Sequence, residues 1–134
     1  MINSQNPLLV LVSKDEVDLQ KLANLLSNFI GIEKSGKIFF KSTYLSLGAA
    51  EKIQYLLLAS KARFLLNLSK TEKLSPKEIT ILSKLPEGTV KSTLKRLREK
   101  GMILSEESLY FFPNYRVNDF KQESVKKKEG VKNE

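Results

Sequence analysis

Residues 75–112 leave the least freedom in how this chain can fold. They read SPKEITILSKLPEGTVKSTLKRLREKGMILSEESLYFF, with no spare residues between successive structural signals. Ser75-Pro76-Lys77-Glu78 is a helix start. Ser can accept from a free backbone N–H, Pro suits the first helical position, and Glu at the third can reach back to the cap. Ile79, Leu82 and Leu85 recur at threefold spacing and so share an inward face. Pro86-Glu87-Gly88 breaks that helix, and a second one resumes near Thr89. In it Val90, Leu94 and Leu97 form one apolar stripe. Lys91, Lys95 and Arg98 form a second stripe about a quarter turn away, with Ser92, Arg96 and Glu99 on the far side. Gly101, after Lys100, is a helix stop, because Gly takes positive φ without a Cβ clash. Two short apolar strands then follow, up to Phe112.

The run LSPKEITILSKLPEGTVKSTLKRLREKGMI resembles the winged helix-turn-helix superfamily of DNA-binding domains. The piece LPEGTVKSTLKR is also similar to the helix-turn-helix of bacterial sigma-factor region four, but a sigma factor should have no hairpin after it. The resemblance covers roughly residues 60–113. It implies that the helix beginning near Thr89 enters the major groove while the hairpin flanks it on the backbone. Carried over by position, it places Gly88, Thr89, Lys91, Ser92 and Lys95 against DNA, and Arg96 and Arg98 join them as cations of the same helix. The pattern departs at two places. Lys84 stands where the turn usually has Gly, and the hairpin tip is Ser105-Glu106-Glu107-Ser108, where a DNA-touching wing usually carries Arg or Lys. Winged helices also serve as protein-docking modules.

Charge points the same way. The chain has 23 Lys and Arg against 15 Asp and Glu, a net +8. Residues 1–60 carry +1, residues 61–113 carry +5 and residues 114–134 carry +2. The excess therefore sits on the segment that resembles a DNA-binding module, which favours an anionic partner. Cys and His are both absent, so disulfides and thiolate chemistry are excluded and a zinc site is disfavoured. There is no Gly-rich phosphate loop, and Asp15 and Asp18 fall where a helix start favours acids. No catalytic residue, cofactor or metal is expected. No apolar run reaches membrane-spanning length, so the expected location is cytoplasmic. High Lys, Ile, Leu and Glu with no Cys hints at a thermophile.

The N-terminal part is expected to form a small strand-helix-hairpin extension. Residues 8–12 are an apolar run, and Ser13-Lys14-Asp15-Glu16 is a second helix-start pattern. A helix with Val17, Leu22, Leu25, Leu26 and Phe29 at roughly helical spacing follows, with Gly31 as its stop. Ile32-Glu33-Lys34 and Lys37-Ile38-Phe39-Phe40 around Ser35-Gly36 suit a tight hairpin. A long helix is expected over about residues 47–68, apolar on more than one face. Its first half needs a cover, either from the N-terminal elements or from a second copy of the chain. Beyond residue 120 the chain is polar, with Lys126-Lys127-Lys128, and disorder is expected; Tyr115, Val117 and Phe120 pack at a place the sequence does not fix.

The expected fold is α+β, a mainly helical winged helix-turn-helix over 60–113 with that extension over 1–59 and a C-terminal segment over 114–134. The expected function is double-stranded DNA binding by a transcriptional regulator, acting as a homodimer paired through the N-terminal half. The alternative is an adaptor that docks a protein partner, or a subunit of a larger nucleic-acid-processing or cell-division assembly.

Overall fold

The computed structural model of the chain describes residues 7–8 and 16–120. The strand expected over residues 8–12, the start box over 13–16 and the tail from 121 onward fall outside them, apart from Leu8 and Glu16. The described chain is α+β. In order it runs α1 (Leu19–Ser27), β1 (Ile30–Ile32), β2 (Ile38–Phe40), α2 (Ser42–Leu45), α3 (Ala49–Leu65), α4 (Pro76–Ser83), α5 (Glu87–Glu99), β3 (Leu104–Glu106), β4 (Leu109–Phe111) and α6 (Asn114–Asp119).

Asp18 starts α1, its carboxylate accepting from the Lys21 N–H at 3.0 Å. Leu22, Leu25 and Leu26 face inward. The helix ends at Asn28 rather than at Gly31, which lies mid-strand in β1. Gly31 is there for room: it pairs with Phe39 across the hairpin, and a Cβ on it would meet the ring Cζ at 2.0 Å. Pairing begins at Ile30↔Phe40, two residues earlier than the sequence pattern suggests. Gly36, at φ +93°, makes the tight turn.

The centre of the fold is α3. From Ile53 to Lys61 every residue is buried, so it is a core helix enclosed on all sides. Leu22, Leu25 and Leu26 of α1, with β1, cover one side, and Phe29 packs on Tyr55 at 4.6 Å between centroids. α4 and α5 cover another. Of the two covers expected for the apolar surplus of this helix, the N-terminal elements or a second copy, α1 and β1 supply it from within one chain. Tyr44 of α2 is buried as well; its hydroxyl donates to the Lys52 carbonyl at 3.3 Å, and burial pushes its pKa up. Lys61 is only 1 % exposed, yet it donates to Glu72 at 2.6 Å and to Asn114 at 2.5 Å, clamping α3 to its following linker and to α6. α3 stops at Leu65, short of residue 68, because Asn67 turns left-handed and the Leu68 N–H returns to the Arg63 carbonyl at 2.9 Å.

Ser75 opens α4 as its residues dictate: its hydroxyl accepts from the Glu78 N–H at 3.1 Å, and the Glu78 carboxylate accepts from the Ser75 N–H at 3.0 Å. Lys84 closes that helix at φ 60°, ψ 21°, taking the left-handed conformation that Gly would take there. α5 begins at Glu87, two residues before Thr89, because Pro86 holds the extended conformation of a cap and leaves Gly88 inside the first turn. Val90, Leu94 and Leu97 are buried, and Thr93 joins them. Gly101 at φ +73° ends it, with the Met102 N–H returning to Leu97. β3 and β4 pair antiparallel through a turn in which Glu107 and Ser108 are both left-handed. Leu74 bonds both ways with Tyr110, at 2.9 and 2.8 Å, adding a one-residue third strand beside the hairpin. α6 folds back so that Val117 is buried and Phe120 sets its edge against Tyr55 and Phe112.

A candidate nucleic-acid interface

α5 is fixed on its inner side by four buried positions, 90, 93, 94 and 97. At 100° per residue, the positions diametrically outward are Gly88, Ser92, Lys95 and Glu99. Lys91 and Arg98 flank this line on one side, and Arg96 and Lys100 on the other. All of these are exposed, while Thr89 is half-buried. The centre of the outward face is therefore small over its first turns, at Gly88 and Ser92, then carries Lys95 and, at the C-terminal end, Glu99, while its flanks are cations. A surface with that layout lets a polyanion approach the helix backbone closely while the long side chains reach out to phosphates. From Lys91 to Arg98 the cations span about 10 Å of helix axis.

Two of the expected residues have partners inside the chain. Lys91 Nζ lies 3.0 Å from Glu87 Oε1, an exposed pair of low strength, so Lys91 is free to exchange its partner for a phosphate but brings a carboxylate with it. The Ser92 hydroxyl donates to the Thr89 carbonyl at 3.2 Å. No ion pair engages Lys95, Arg96 or Arg98 among the described residues.

The hairpin tip is altered by a contact that the sequence pattern did not disclose. Lys73, just ahead of Leu74, donates to Glu106 at 2.7 Å and lies 5.5 Å from the centroid of the Phe111 ring. The hydrogen bond to Glu106 raises the Lys73 pKa. One of the two tip carboxylates is thereby engaged, leaving Glu107 in the turn. The pairing depends on the Leu74–Tyr110 bridge, which brings together residues more than 30 positions apart, and sequence spacing carries no trace of it.

α4 supplies a further cation. Pro76, Lys77, Thr80 and Ile81 face Glu87 and Lys91 across a shallow groove of about 450 Å³. Lys77 is in the first turn of α4, and its side chain is exposed. The helix-start box at Ser75 was the available signal for it. Compared with protein-family models, curated proteins and solved structures, the chain gives no match in any of the three.

Proposed function

We propose that this chain is a DNA-binding protein, a transcriptional regulator whose residues 60–113 act as a winged helix-turn-helix with α5 in the major groove. The observation that carries this is the outward face of α5: Gly88, Ser92 and Lys95 in the middle, Lys91, Arg96 and Arg98 on the flanks, opposite a buried stripe, with Glu99 the one acid on that line, at its C-terminal end. The element order supports it too. A core helix, the Leu74 strand, two helices joined by a left-handed Lys84, and a hairpin paired back on Leu74 follow one another as the winged-helix resemblance requires. Lys77 extends the cationic face onto α4.

The test is a fluorescence anisotropy titration of the full chain against a short DNA duplex at several salt concentrations. Removing one cation that neutralises a phosphate should flatten the log–log salt dependence by about one unit of slope. The double variant Lys95→Ala/Arg98→Ala should bind more weakly, with a flatter dependence. If it matches the parent at every salt concentration, α5 is not the contact surface. A second reading, a protein-docking adaptor, is favoured by Glu107 at the hairpin tip and by Glu87 on α5. It requires that the parent chain show no salt-dependent binding to duplex DNA.

A further inference from the structure

A second surface adjoins the α4–α5 groove at Ile81, which lines both, and holds none of the cationic residues of α5. Between the β1–β2 hairpin with α2 on one side and the C-terminal end of α4 on the other runs a groove of about 580 Å³. Its apolar lining includes Phe39, Leu45 and Ile81, which are 43, 67 and 64 % exposed. Three large apolar side chains from separate elements, left in water around one groove, form a patch of the kind that marks an interaction site. Lys37, Lys52 and Lys84 also line it, and no acidic residue does. None of these three lysines is in an ion pair among the described residues; Lys52 lies 5.9 Å from the Tyr44 ring centroid.

We infer that this groove docks an acidic segment of a partner protein, with apolar residues at helical spacing seated on Phe39, Leu45 and Ile81 and carboxylates meeting Lys37, Lys52 and Lys84. The charge selects the occupant. A second copy of this chain, net +8, would bring like charge onto a groove that already holds three cations. Nucleic acid fits the lysines but not the floor, because phosphates over Phe39, Leu45 and Ile81 would lose water and gain no hydrogen-bond donor. An amphipathic acidic helix satisfies both parts, its apolar face in the groove and its acids on the rim. None of the expected DNA-contacting residues, 88–98, lines this groove; it shares only Ile81 with the groove facing Lys91, and neither test variant alters that residue, so the inference stands or falls separately from the DNA reading.

The test is selection from a random display library of peptides about 16 residues long on the full chain, long enough for four helical turns. Recovered peptides are then titrated by anisotropy against the parent, Leu45→Ser and Lys37→Glu. Both substituted side chains are exposed, and a thermal melt checks that each variant keeps the parent's fold. The expected result is a set of peptides rich in Asp and Glu with apolar residues three and four apart. Their affinity should fall about tenfold or more in each variant. Recovery of nothing above the bare support, of peptides with no acidic excess, or of peptides that bind both variants as well as the parent would overturn the inference. So would amide-exchange protection of residues 37–45 by a DNA duplex and not by the peptides, since that would make nucleic acid the occupant.

Discussion

At the scale of single residues, Leu94 and Gly31 each sit at a packed contact that one substitution probes. Leu94 is 1 % exposed, as its place in the stripe with Val90 and Leu97 demands. Leu94→Ala should cost about 2–5 kcal/mol in a denaturant titration, through reduced transfer energy and the cavity left behind. A smaller loss would mean that α5 and α3 close over the gap. Gly31 is different. After a helical run it looks like a stop, yet its use is across the sheet, where the Phe39 ring covers it. Nothing in the local sequence announces that approach, because the partner is on the next strand. Gly31→Ala should destabilise by about 1–3 kcal/mol by forcing the ring aside. In a Phe39→Ala background the same change should cost much less, and equal costs in the two backgrounds would show that the ring is not the obstacle. Lys84 is a third case: the resemblance marks it as standing where the turn usually has Gly, and the backbone shows it holding that turn at a positive φ disfavoured for its residue type.

At the scale of elements, the existence of α1, α3, α4, α5 and both hairpins was legible, while several ends were not. α3 ends three residues early because Asn67 makes a left-handed cap, and α5 starts two early because Pro86 serves as one. The short helices α2 and α6 escaped the periodicity argument, since four and six residues are too few to show a period. Of the candidate interface, spacing gave the apolar and cationic stripes of α5, and the winged-helix resemblance supplied the expected contact residues. Lys73 and the groove beside α2 were not legible, because each depends on elements distant in sequence; Lys77 was signalled only as part of the helix-start box at Ser75. Within α5 the pair Glu87–Lys91 sets two effects against each other. Glu87→Gln should tighten duplex binding and steepen its salt dependence by up to about one unit of slope, by releasing Lys91 and removing a repulsive charge. The same change should weaken the helix by about 0.3–1 kcal/mol, since an acid in the first turn complements the helix dipole. Unchanged affinity and slope, measured by anisotropy, would place Lys91 outside the interface.

At the scale of the whole molecule, one core runs through both halves of the chain, from Leu22 of α1 to Val117 of α6, with α3 as the shared element. A division at residues 59 and 60 falls inside α3, between Ala59 and Ser60, both fully buried. The helices expected to pair two copies are spent on this core. Light scattering at rising micromolar concentration should therefore give the mass of one chain, and a mass of two would require an interface on other residues. One small contact reaches further than its size suggests. Asn118 accepts from the Asp18 N–H at 2.9 Å and donates to the Glu16 carbonyl at 3.3 Å, so the last helix holds the backbone ahead of the first. In space the described chain is a ring with one bond missing. Closing it with a short Gly-Ser linker between residues 120 and 16, and opening it instead at the exposed Lys70–Thr71 bond, should give a permuted protein with the parent's circular dichroism. Loss of the folded spectrum on that reconnection would mean that the unbroken link between α3 and α4 is needed to assemble α3 with its covers. Retention would mean that the fold is indifferent to where its thread begins.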